Sequence, residues 1–218
     1  MTSRVILQDR NGSRWLQFGD PLKVLATNDL ATVPGLLLEV ESEVEERGLY
    51  AAGYISYEAA PAFDKALAIR ATTKMPLIWF GLYERPSRIS LPTDRVPYDV
   101  GDWQPSINRA EYNTALKRIK RYISLGETYQ VNYTYRLSAA FEGDPWGLFL
   151  DLVQAQEPTY SAYVDLGSHV ICSASPELFF KLDGTELMSR PMKGTVERGF
   201  FEVFRYRGSR VYLMFVPE

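Results

Sequence analysis

The sequence predicts an α+β fold of largely antiparallel sheets covered by helices, on three observations. Asn11-Gly12 and Asp183-Gly184 each stand between short apolar runs, which is the signature of a hairpin turn. Strand-like segments come in pairs or runs, without the regular strand-helix alternation of a parallel sheet. An aromatic share of 13% also favours pleated structure over an all-helical bundle.

Taken in order, residues 4–9 and 13–18 are expected to pair around Asn11-Gly12. Over residues 32–47 the apolar positions Leu36, Leu37, Val40 and Val44 recur at helical spacing, while Glu39, Glu41, Glu43, Glu45 and Glu46 lie mostly outside that stripe. Gly48 is placed to end this helix. Residues 49–57 and 76–83 are apolar enough to be central strands, joined by an alanine-rich, partly helical link. Pro86, Pro92, Pro97 and Pro105 then punctuate a polar stretch that reads as a linker.

A second amphipathic helix follows, with Tyr112, Leu116, Ile119 and Ile123 on one face, Asn108 as N-cap and Gly126 as stop. In residues 129–137 bulky Tyr129, Val131, Tyr133, Tyr135 and Leu137 alternate with Gln130, Asn132, Thr134 and Arg136, the pattern of a two-faced strand. Asp144-Pro145 opens a third helix carrying Leu148, Phe149, Leu152 and Val153. Three or four strands are expected beyond Pro158, the last two meeting at Asp183-Gly184. The expected division is a sheet-rich region over 1–105, the start of a second domain over 106–199, and a tail over 200–218.

Composition narrows the function classes. Hydrophobic residues at 46% and charged residues at 23% describe a folded globular chain, which sets disorder aside. A net charge of -3 gives no electrostatic footprint for nucleic acid, and the run Lys117-Arg118-Ile119-Lys120-Arg121 reads as a solvated helix face. No segment has transmembrane length and the start lacks a signal-peptide core, so no membrane role and a cytoplasmic location are expected. A single cysteine, Cys172, in an apolar run is expected to be a buried structural thiol. His169 follows a Leu166-Gly167-Ser168 turn and is expected to be solvent-exposed or structural, not a general base. There is no P-loop, dinucleotide fingerprint, nucleophile elbow or metal-ligand spacing.

One pair of residues has chemical promise. Glu177, in Ser175-Pro176-Glu177, and Lys193, in Pro191-Met192-Lys193-Gly194-Thr195, stand at opposite ends of one predicted hairpin. An antiparallel pair joined by a tight turn returns to the same end of its sheet, which brings this carboxylate and this amine close. Glycine beside the lysine lets a ligand approach backbone, a desolvated amine is a better nucleophile, and Thr195 can bond a substrate carboxylate. On spacing alone the plainer reading, a surface Glu–Lys pair beside a turn glycine, is favoured over catalysis.

Three segments in order change that balance. Gly126-Glu127-Thr128-Tyr129-Gln130-Val131-Asn132-Tyr133-Thr134, Ser173-Ala174-Ser175-Pro176-Glu177-Leu178-Phe179 and Arg190-Pro191-Met192-Lys193-Gly194-Thr195 together resemble the chorismate-binding enzyme family. The resemblance runs through nearly all of the chain up to Gly199. Gly53-Tyr54-Ile55-Ser56-Tyr57-Glu58-Ala59-Ala60 further resembles the branch that aminates chorismate at C4 toward para-aminobenzoate and folate. Lys193 points to the same branch, because relatives making anthranilate or isochorismate typically carry alanine there.

The resemblance implies that Lys193 attacks C2 of chorismate, that Glu177 is the acid/base carboxylate, and that Gly194 and Thr195 contact a substrate carboxylate. It implies magnesium as cofactor, chorismate as substrate, and a glutamine amidotransferase subunit supplying ammonia. After Gly199 the sequence, beginning Phe200-Phe201-Glu202-Val203-Phe204, departs from the family's acidic, metal-ligating continuation. The expectation is therefore a truncated N-terminal portion, without the magnesium ligands and with little turnover by itself. Two alternatives stay open: an anthranilate synthase-like enzyme, and a non-catalytic module that binds tryptophan in its N-terminal sheets.

Overall fold

The architecture comes from a computed structural model, which describes residues 3–8, 14–69, 75–92, 94 and 96–191. The chain forms two compact units, one made of residues up to 95 together with those from 145 onward, the other of residues 96–144. Every strand pair among the described residues is antiparallel, as the α+β expectation requires.

In the first unit, β1 (Arg4–Gln8) pairs with β2 (Trp15–Gly19), from Arg4 against Gly19 to Gln8 against Trp15. This is the expected hairpin; its Asn11-Gly12 turn lies outside the described residues. The sheet grows on both sides, through β6 (Ser87–Ile89) next to β2 and through β11 (Tyr160–Asp165) and β12 (Val170–Ser175) beyond β1. A second sheet has the order β3 (Lys23–Thr27), β5 (Ile78–Tyr83), β4 (Tyr50–Ile55). The period of two sends Val5, Phe18 and Val164 of one sheet against Ala52, Trp79 and Tyr83 of the other, so the two sheets share a buried core.

Each sheet turns its other face to a helix. α1 (Val33–Arg47) lays Val33, Leu36, Leu37 and Val40 on Leu25, Ile78, Phe80 and Leu82 of the three-stranded sheet. Lys23 bonds Glu39 and Glu43 of this helix at 2.7 and 2.8 Å, and Arg47 bonds Glu43 at 2.6 Å. α3 (Pro145–Gln156) starts at the proline that follows Asp144, as expected. Its Phe149 meets Trp15 and Tyr163 of the five-stranded sheet at ring-centroid distances of 5.7 and 5.5 Å. The order of layers in this unit is thus helix, sheet, sheet, helix.

Four sequence expectations need correction here. Only β5 is central; β4 is an edge strand with Tyr50 and Ile55 exposed at its ends, although the linking segment does form a short 3-10 helix over Tyr57–Ala62. β3 was not expected at all. The proline-rich stretch is not only linker, since it contains β6, β7 (Tyr98–Val100) and β8 (Gln104–Pro105). The strand expected over 129–137 is absent except for β9 (Leu137–Ser138), which pairs with β8.

The reason for the last miss is visible within the second unit. That unit holds α2 (Arg109–Ser124), β7 to β9, and β10 (Phe141–Gly143) paired with β7. The alternating residues form no further ladder; instead Tyr133 and Tyr135 place their rings 5.9 Å from that of Tyr112 on α2. Alternation shows that a segment is two-faced, and a helix can satisfy one face as well as a neighbouring strand can. α2 itself begins with a reciprocal capping box: Glu111 N–H donates to the Asn108 side chain, and Asn108 N–H to the Glu111 carboxylate. No residue of α2 is fully buried.

Candidate active site

The first unit ends, among the described residues, in a separate two-stranded ribbon of β13 (Leu178–Asp183) and β14 (Glu186–Arg190). Asp183 faces Glu186, so the loop is Gly184-Thr185, and Gly184 has φ 59°, at the first loop position, where a type II′ turn takes glycine. The hairpin expected at Asp183-Gly184 is therefore present. Its far end pairs Leu178 with Arg190, after a register shift between Leu178 and Lys181.

Glu177 occupies the joint between β12, which ends at Ser175, and β13, which begins at Leu178. Its side chain is exposed. The main chain is tied down: Glu177 N–H donates to Ser175 Oγ at 3.2 Å, and that hydroxyl donates to the Glu177 carbonyl at 3.0 Å. Pro176 between them fixes its own φ and keeps Ser175 extended. Sequence reasoning passed over Ser175, although a serine two residues before the carboxylate is the spacing of a side-chain-closed turn.

Pro191 follows β14 directly, at the end of the ribbon where Glu177 stands. Lys193, Gly194 and Thr195 lie outside the described residues, as does everything expected of the tail over 200–218. Cys172 is buried on β12, where its Sγ lies 3.5 Å from the Pro145 carbonyl, so the structural-thiol expectation holds. His169 Nδ1 lies 3.0 Å from Ser168 Oγ beside the Leu166–His169 turn, a structural setting.

Arg4 stands over a buried aromatic cluster, its guanidinium carbon 5.0 Å from the Trp146 ring and 5.1 Å from that of Tyr163. Burial pushes the Tyr163 hydroxyl up to about 12, an effect that Arg4 partly offsets. Among the described residues no group of three or more His, Cys, Asp or Glu side chains is placed to hold a metal ion. The described residues therefore offer no cluster that would hold the implied magnesium. No helix among the described residues is long and apolar enough to cross a membrane.

Antiparallel sheets stacked between helices, with the Glu177 carboxylate exposed at a strand joint, define an α+β protein. The chain belongs to the chorismate binding enzyme family, whose model matches residues 90–202. It is similar to "Aminodeoxychorismate synthase component 1" of Escherichia coli (strain K12), at 39% identity over 99 residues, 45% of this chain and 22% of that protein. The protein of the same name from Bacillus subtilis (strain 168) is 25% identical over 190 residues, 85% of this chain and 38% of its own length. "Anthranilate synthase component 1" of Thermus thermophilus is 36% identical over 97 residues, 44% of this chain and 21% of that protein. The chain thus matches between about a fifth and two fifths of the length of these relatives.

Proposed function

We propose that the chain provides the nucleophile and the acid/base carboxylate of an enzyme that aminates chorismate at C4, giving 4-amino-4-deoxychorismate. In this reading Lys193 Nζ bonds to C2 of chorismate while both ring double bonds shift, C1=C2 to C1=C6 and C5=C6 to C4=C5, and the C4–O bond breaks. Glu177 supplies the proton with which the hydroxyl departs as water. Ammonia from a glutamine amidotransferase subunit then adds at C4 and gives up a proton, both double bonds shift back, and the C2–N bond breaks to release the Lys193 amine. Gly194 and Thr195 would hold a substrate carboxylate. Magnesium belongs to this proposal only through the family resemblance.

The observation that carries the reading is the β13–β14 register: it sets the Glu177 joint at the same end of the ribbon as the chain that leads from Arg190 toward Lys193. Relatives named for both chemistries match at similar identity, 39% and 36%, so identity alone does not choose between C4 and C2 amination. Lys193 is the residue that favours C4.

The test is calorimetric titration of the chain with chorismate, followed by product analysis with added ammonium and magnesium. Saturable chorismate binding, weakened in Glu177→Gln, and any aminated product being the C4 amine are the expected results. Absence of chorismate binding refutes the proposal, and anthranilate as product transfers it to the alternative. Saturable binding of tryptophan with no binding of chorismate favours the non-catalytic module.

A further inference from the structure

We infer that Ser175 is the positioning residue for Glu177, and that it acts by latching the main chain of the joint from which that carboxylate projects. The inference rests on Glu177 having the acid/base role proposed above. Its physical basis is separate. β12 is anchored in the five-stranded sheet, with Ser175 opposite Tyr160 and with buried Cys172 and Ala174 alternating behind it. β13 and β14 pair only with each other among the described residues.

Between these two bodies stand only Pro176 and Glu177. A two-residue connection with an exposed side chain would ordinarily leave the direction of that side chain loosely set. Proline removes one backbone rotation on one side of Glu177. The Ser175 hydroxyl removes more, because it bonds both the N–H and the carbonyl of Glu177, at 3.2 and 3.0 Å. Both main-chain groups flanking the Glu177 Cα are thereby referred to a residue of the fixed sheet. The side chain stays free to reach a ligand while the backbone beneath it is held, which is what a carboxylate acting at one defined atom requires. The same latch sets how the ribbon leaves the sheet.

Two readouts on the full chain test this. Amide hydrogen exchange at Glu177 is expected to quicken by about three- to tenfold in Ser175→Ala, the worth of one ordinary hydrogen bond, and to return in Ser175→Thr, which keeps the hydroxyl. Chorismate affinity is measured for the unsubstituted chain, Ser175→Ala, Glu177→Gln and the double variant. Ser175→Ala is expected to weaken binding where Glu177 is present and to have little further effect in Glu177→Gln, with Ser175→Thr close to the unsubstituted chain.

Unchanged exchange in Ser175→Ala overturns the latch. Faster exchange with unchanged affinity, or equal losses with and without Glu177, overturns the positioning role while leaving the proposed function standing. Failure of the unsubstituted chain to bind chorismate refutes the proposed function, and the role of Ser175 falls with it.

Discussion

Cutting Phe149 back to alanine tests the layered reading of the first unit most directly. Phe149 has 0% exposure, and its ring lies 5.7 Å from that of Trp15, 5.3 Å from that of Trp146 and 5.5 Å from that of Tyr163. Truncating a buried phenylalanine costs about 3–5 kcal/mol, because transfer energy is lost and the cavity closes only in part. Three aromatic neighbours are stiff, each such pair carries about 0.5–1.5 kcal/mol beyond its area, and the upper half of that range applies.

Against a whole stability of about 5–15 kcal/mol, this is a large fraction. The melting temperature should fall by roughly 10 °C for a chain of this size, and the urea midpoint should drop with its slope unchanged. Phe179→Ala is the control, since Phe179 on β13 is 84% exposed and should change stability by no more than about 0.5 kcal/mol. A loss below about 1 kcal/mol for Phe149→Ala, or equal losses for both variants, would refute the placement of α3 on the five-stranded sheet.

Two further perturbations follow from single positions. Gly53 on β4 faces Phe80 on β5, and a Cβ there would overlap the Trp79 carbonyl oxygen and come within 2.8 Å of Phe80 Cα. Gly53→Ala must therefore push β4 off β5, at about 1–3 kcal/mol, and a thermal melt within 1 °C of the parent would count against that contact. Burial pushes Tyr54, Tyr83 and Tyr163 from 10.0 up to about 12. The unfolded chain then ionises first, so the stability these hydroxyls confer is whole below pH 10 and is lost as pH rises toward about 12. Denaturant titrations across that window should show the decline, and native tyrosinate absorbance in which all tyrosines titrate together near 10 would contradict it.

What could be read from the sequence was local. Asn108 as an N-cap, proline after Asp144, and Asp183-Gly184 between apolar runs each fix a few neighbouring dihedrals, and all three features are present. Pairings across long stretches of chain were not legible. Ile6 stands opposite both Gln17 and Tyr163, and nothing in residues 4–9 distinguishes the near partner from the distant one. β3 escaped because the apolar residues of Lys23–Thr27, Val24, Leu25 and Ala26, run together without alternation, although Gly19-Asp20-Pro21 and Asn28-Asp29 bound the segment with turn residues. Residues 129–137 misled because, before Leu137, the alternation has no neighbouring strand to pair with among the described residues: Tyr133 and Tyr135 meet Tyr112 on a helix, while Tyr129 and Val131 stay exposed.

At the candidate site the hairpin was legible and its bulge was not, yet the bulge bears on the chemistry. Carried straight from Asp183 against Glu186, the ladder would set Leu178 opposite Pro191; the register shift sets it opposite Arg190 instead. β13 thus spends one extra residue, with Phe179 and Phe180 both exposed beside the shift. The ladder reaches Leu178 while β14 still has an N–H to give, and Pro191, which has none, stops it there. Glu177 is left without a strand partner among the described residues, so its main chain needs another anchor. The Ser175 hydroxyl, bonded to both its N–H and its carbonyl, is that anchor. Bulge, proline and serine together release the Glu177 side chain from the sheet while keeping its backbone in place, which is the combination that the proton-donor role proposed for Glu177 requires.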